Sequence, residues 1–186
     1  EKMYQGLGAY GIFMDVQNQM RILNSRDLIE EVINKLNFQT SYYVVGRLKK
    51  VEVYETLPFK SIVNVTDPAV YELPISIKII DEESYELSFV LYDESKFDST
   101  LNTGYFDLNL MSQYSFNKAN IDDITLSNYE LIFHSKDYLI KKYQSSLSVE
   151  NIEHTSVLEL VVSDELKLRG RDYLDTLSQT YVEYSK

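Results

Sequence analysis

The chain has 186 residues, with 18 Lys+Arg against 29 Asp+Glu and a formal net charge of −11. That balance argues against a general binder of nucleic acid or anionic lipid, which needs a basic face. It has no cysteine, which removes thiol catalysis, zinc knuckles and disulfide scaffolds together. At 44% hydrophobic and 25% charged the composition is that of a folded domain, able to bury about 70% of its unfolded surface.

The first eleven residues carry Gly6, Gly8 and Gly11 and read as a flexible lead-in. Val16, Met20 and Leu23 are spaced for a helical segment that breaks near Asn24-Ser25. From Arg26 to Leu36, Leu28, Ile29, Val32, Ile33 and Leu36 form one apolar stripe, with charged residues opposite. Ser25 is the expected N-cap, Asp27 lies in the positive first turn, and Glu31 and Lys35 form an i,i+4 pair.

After Phe38 the period changes to two. Ser41–Val45 is a strand candidate closed by Gly46. From Pro58 to His134 alternation and turn signals predict an all-β unit. Its strands hold Ile75, Ile77 and Ile79, then Leu87, Phe89 and Leu91, then Phe106, Leu108 and Leu110, then Tyr129, Leu131 and Phe133. Residues 81–84 read as a polar hairpin loop, and two packed antiparallel sheets satisfy so many half-apolar strands.

Beyond this unit, Ser135–Tyr143 reads as a short helix and Ser145–Val149 as a strand. Val157–Val162 is nearly continuous in apolar residues, as expected of a strand covered on both sides. Leu166–Tyr184 reads as a helix with Leu174, Leu177, Tyr181 and Tyr184 as its seam. The expected architecture is α+β. A small α/β base (1–57 and 135–186) is covered by N- and C-terminal helices and interrupted by an antiparallel β-sandwich-like insertion (58–134). Ser41–Val45 and Val157–Val162 are expected to share the base sheet.

Motifs for catalysis are sparse. Gly6–Gly11 matches GxGxxG by letter, but no buried strand precedes it, so it reads as linker and no cofactor is expected. His134 and His154 lack a second His or Cys at i+3 or i+4, and no metal is expected. No GxSxG sets a serine beside either histidine. The acidic pairs Glu82-Glu83, Asp93-Glu94 and Asp122-Asp123 fall in loops, where solvated charge is the default rather than a glycosidase dyad. No catalytic residue is assigned. No stretch nears the roughly 18–20 apolar residues of a membrane-spanning helix. The absence of an initiator Met suggests a fragment of a longer protein.

Four segments resemble one family. Met20–Ile29 is similar to an "ILKSR-apolar" helix through Leu23, Ser25 and Arg26, with Asn24 where Lys is usual. Tyr42 and Tyr43 followed by Gly46 and Arg47 resemble its "YY … G-R" stretch. Tyr54 and then Pro58 resemble "ELY … PF". Asp164, Gly170, Leu174, Leu177 and Tyr181 resemble "LxLxD … KG-x-x-LNTL … Y", with Asp175 for Asn and Glu165-Leu166 for "NP". The family is the extracytoplasmic domain of bacterial polysaccharide co-polymerases. These are the Wzz-type chain-length determinants, closest to tyrosine-kinase-linked exopolysaccharide transport proteins of Bacteroidetes-like bacteria. The matching segments lie within 16–59 and 138–184, and the rest of the β insertion carries no matching motif.

The resemblance implies a periplasmic domain held at the inner membrane by helices outside this chain. Such a domain is no enzyme itself and assembles as a homo-oligomer. The implied partners are a polysaccharide polymerase, the outer-membrane export machinery and the nascent capsular, exo- or lipopolysaccharide; a cytoplasmic tyrosine kinase would lie elsewhere. The residues leave two other readings open. One is a carbohydrate-binding β-sandwich in which exposed Tyr105, Tyr114 or Tyr129 stack on sugar. The other is a glycoside hydrolase domain.

Overall fold

A computed structural model describes residues 15–57, 59–80, 85–89, 106–112, 128–153 and 155–185. It is α+β, as the residue pattern predicts. The elements in chain order begin with α1 (15–23) and α2 (Arg26–Lys35). Seven strands follow: β1 (Thr40–Val45), β2 (Lys50–Val53), β3 (Phe59–Val65), β4 (Pro74–Ile79), β5 (Tyr85–Phe89), β6 (Phe106–Ser112) and β7 (Asn128–Phe133). The chain then forms α3 (Lys136–Ser146), β8 (Leu147–Asn151), β9 (Leu158–Val162) and α4 (Lys167–Tyr184). Two compact units result: Phe38–Ser135, and the segments before and after it.

The β unit is a five-stranded antiparallel sheet, β2-β1-β7-β4-β5, with a two-stranded sheet, β3-β6. Alternation decides which face is dry. Ile75, Ile77 and Ile79 of β4 and Tyr129, Leu131 and Phe133 of β7 are buried, and the residues between them are not. Phe59 comes from the second sheet and meets Tyr129 edge to face at 5.1 Å and Tyr42 at 6.4 Å. Val63 and Val65 of β3 pack on the same cluster. Asp67 caps the 3₁₀ turn Pro68–Val70 through the Ala69 N–H (2.9 Å) and drops Val70 into this core. Each fully buried aliphatic side chain here contributes about 1.5–3 kcal/mol.

In the helical unit α1 breaks as its spacing predicts. The Ser25 hydroxyl accepts the Leu28 N–H (3.3 Å) and starts α2 afresh. Leu28, Ile29, Val32 and Ile33 are buried together. Lys35 reaches Glu31 (3.3 Å) on its own helix, and Thr180 (3.2 Å) and Glu183 (2.6 Å) on α4. Arg26 pairs with Asp137 at the start of α3.

Four expectations are corrected. Ser41–Val45 and Val157–Val162 do not share a sheet: β1 pairs with β2 and β7, and β9 pairs with β8. Residues 38–57 accordingly fold with the β unit. These partners win because Tyr42 and Val44 complete the apolar face of β7. Nor is the apolar run 157–162 covered on both sides, since Val157, just before β9, and Val161 within it are 53% and 52% exposed. On α4 the packed stripe is Arg169, Gly170, Tyr173, Leu177 and Thr180, whereas Tyr184 is exposed. An Arg reads as surface in a hydrophobic pattern, and here its buried partner turns the helix.

Candidate functional site

One polar constellation of the helical unit lies where β9 turns into α4. Asp164 accepts the Leu166 N–H (2.8 Å) at the helix start, where the backbone dipole favours an anion. Arg169, one turn on, grips it with Nε (3.1 and 2.9 Å) and Nη2 (2.8 Å). The two side chains are only 2% and 7% exposed. The Tyr143 hydroxyl donates to the same carboxylate (3.0 Å), and its ring stacks on Tyr173.

Burial alone would raise the Asp164 carboxyl. Hydrogen bonds from Arg169, the Leu166 N–H and Tyr143, with the Arg169 charge, outweigh it and hold the group below the usual carboxylate range. The Tyr143 hydroxyl is pushed far above its ordinary value by burial and then by the Asp164 charge. A carboxylate so fully engaged is no free general base. It is a neutralised corner that fixes the helix to the strand.

A groove of about 400 Å³ opens beside this corner. Val162, Gly170 and Leu174 line it together with Asp164, and Lys167, Arg171 and Asp175 add charge. A Cβ on Gly170 would touch Asp164 Cβ and Val162 Cγ1, both at 3.4 Å, so the helix backbone rides close to the strand end. Asp164, Gly170 and Leu174, separate in the sequence, thus meet at one place. Arg169 and Tyr143 belong to no motif in the sequence; the available signal is an Arg on the face of Tyr173 and Leu177.

A second constellation lies in the β unit. His134 Nδ1 stands 2.5 Å from Glu72 Oε2, and its Nε2 stands 2.9 Å from Ser41 Oγ. Ser41 Oγ also reaches Glu52 Oε1 (2.8 Å), and the Ser135 N–H reaches Glu72 Oε1 (3.0 Å). Glu72 adopts a left-handed backbone (φ 63°) while its N–H bonds Phe133 O (2.7 Å). Serine, histidine and glutamate thus stand at the distances of a nucleophilic triad.

The geometry departs from a triad at the serine. The Ser41 hydroxyl donates to Glu52 Oε1, so it is shared between that carboxylate and the His134 ring rather than committed to the imidazole as a nucleophilic serine is. Ser41 and His134 are also buried. The network is a clasp across β1, β2 and β7. Its partners come from four separate segments, so no local motif could announce it.

The remaining expected positions are dispersed. Leu23 and Leu177 are core, Ser25 is a cap, and Arg26 is an exposed ion-pair partner. Tyr42 faces the β core; Tyr43, on the opposite face, lies under Lys50 (4.0 Å). Gly46 closes the β1–β2 turn through Lys49 O (3.0 Å), where an added Cβ would crowd that oxygen at 3.2 Å. Arg47 is exposed in this turn, Tyr54 meets Phe38 edge to face at 6.0 Å, and Tyr181 is half-buried. Tyr129 is buried in the sheet core, which removes it as a sugar-stacking platform: its ring fills the space between the two sheets. Pro58, Tyr105, Tyr114, His154, Gly6–Gly11 and the three acidic pairs lie outside the described residues.

Among the described residues no group of three or more His, Asp or Glu is arranged to hold a metal ion. No described helix is long and apolar enough to cross a membrane. Compared with known proteins, the chain matches no family model and no curated protein.

Proposed function

We propose that the chain is an extracytoplasmic assembly domain of a bacterial polysaccharide co-polymerase, acting on polymer length and export through oligomerisation rather than catalysis. The observation that carries this reading is the meeting of the quoted segments from both ends of the chain. Ser25 and Arg26 start α2, and α2 is tied by Lys35 to Thr180 and Glu183 on the helix bearing Gly170, Leu174 and Leu177. A domain held at both ends needs that union. The groove corner supports the reading too, since Asp164, Gly170 and Leu174 do structural work together there. The homo-oligomer, the polymerase, the export machinery, the periplasmic location and the linked kinase belong to the same proposal.

The test is genetic. Deleting the coding segment in the source organism should shift or abolish the modal length of its surface polysaccharide, read on gels of extracted polymer. An unchanged length distribution and unchanged export would overturn the reading.

A further inference from the structure

The β8–β9 hairpin buries one face and leaves the other bare. Leu147 and Val149 are buried on the inner side, with Leu160 and Val162 opposite them. On the outer side Ser148 faces Val161 and Glu150 faces Glu159. Ile152, whose N–H bonds Val157 O (3.0 Å), extends this face toward the turn. Ile152, Val157 and Val161 are each about half exposed (47%, 53% and 52%). Like charges directly opposite each other weaken an antiparallel pair, and neither glutamate has an ion pair among the described residues. A surface offering cations among apolar groups would relieve both defects.

The same unit carries that complement. Lys167 and Arg171 stand at the groove beside Val162 and Leu174, two cations against the one exposed carboxylate of its lining, Asp175, and Leu168 is 47% exposed next to them. Arg171 also reaches Asp172 Oδ1 on its own helix through Nε (3.3 Å) and Nη2 (3.1 Å), but its side chain is 64% exposed, so water screens the pair and the cation still faces outward. A molecule cannot satisfy itself, because successive strand residues point to opposite faces. Val162 lines the groove from the inner face of β9, while Val161 and Glu159 point away.

We propose that the outer face of the β8–β9 hairpin docks on the Lys167–Arg171 groove of a second copy of this chain. Glu150 and Glu159 meet the two cations, and Val157 and Val161 cover Leu168 and Leu174. The contact is heterologous, so copies add head to tail, and closure gives a ring. It rests on the oligomeric reading above and names the surfaces that carry it. One hairpin face against one groove is a small interface, so this chain associates weakly and reversibly.

Charge reversal tests it in the chain as it stands, by sedimentation equilibrium over a wide concentration range. Wild type should show concentration-dependent mass. Glu159→Lys and Arg171→Glu, both at exposed positions, should each weaken self-association by at least about tenfold with unchanged circular dichroism. Mixing the two variants should restore association, because the wild-type hairpin of one meets the wild-type groove of the other. A wild-type monomer up to the solubility limit, association indifferent to either reversal, or no recovery on mixing would each overturn the interface. Polysaccharide of altered length with a failed charge swap removes the interface alone. A successful swap with unaltered polymer keeps the interface and removes the polysaccharide reading.

Discussion

Tyr143 and Tyr173 stack with ring centroids 4.3 Å apart and planes 21° from parallel, yet their hydroxyls have different fates. Tyr143 donates to Asp164, whereas the buried Tyr173 oxygen has no hydrogen-bond partner among the described residues. Phenylalanine at the two positions should therefore behave differently. Tyr143→Phe should cost about 1–2 kcal/mol by removing a donor to a charged acceptor. Tyr173→Phe should be neutral or stabilising. Urea unfolding followed by circular dichroism measures both, and an equal loss at the two sites would contradict this account.

The Asp164–Arg169 pair should be costly to break from one side. Asp164→Ala leaves a buried guanidinium without its carboxylate, at about 3–5 kcal/mol. The pair also sets a pH dependence. The carboxyl of Asp164 is held below its ordinary value, so its contribution is complete above the unfolded value near 3.9 and is lost as pH falls through the folded one. At the other extreme, the hydroxyls of Tyr143 and Tyr173 are both raised by burial. Their contribution is complete below the unfolded value near 10 and is lost as pH rises beyond it. Unfolding free energy measured across pH should thus fall at both ends, with Asp164→Asn flattening the acid limb.

Leu160 stands on the inner face of β9 opposite buried Val149. Leu160→Asp should destabilise the helical unit by on the order of 2–3 kcal/mol, because a carboxylate there has no partner. Lys78→Asp changes an exposed position opposite Glu86 and sets two like charges across the strand pair. Its cost should stay at or below about 1 kcal/mol. Thermal melts of the two variants decide the ranking, and equal losses would contradict it.

Ser41 should be a hydrogen-bond bridge and no nucleophile. Ser41→Ala should destabilise the β unit by about 1–3 kcal/mol, since it removes both hydrogen bonds that the hydroxyl makes in a buried place. A fluorophosphonate probe should leave the wild-type serine unlabelled by mass spectrometry. Labelling at Ser41 would contradict this account.

What the residue pattern reveals here is governed by distance along the chain. The break at Ser25, the stripe of α2 and the alternation of β4 and β7 depend on neighbours within a turn or a strand, and the structure has them where the spacing puts them. Strand partnership is different. Tyr42 and Val44 suit any apolar sheet, and only the assembled face of Leu131, Tyr129 and Ile77 selects β7 over β9. Polar clusters are harder still. Ser41, Glu52, Glu72 and His134 each read as unremarkable alone, because the geometry that joins them belongs to the sheet. The Asp164 corner was half legible: the carboxylate and Gly170 stood out, while the buried Arg169 looked like surface charge.

Gln39 and His134 are neighbours as well, joined by the His134 N–H to Gln39 O (2.8 Å), and Thr40 lies directly opposite Phe133. The β unit therefore begins and finishes on adjacent strands, about 5 Å apart. A module with termini so close can be cut out, bridged by a short loop between Asn37 and Lys136, or replaced by one of another size, while the two flanking segments keep the same gap to span. Length variation over evolution can accumulate in such a graft without altering the host.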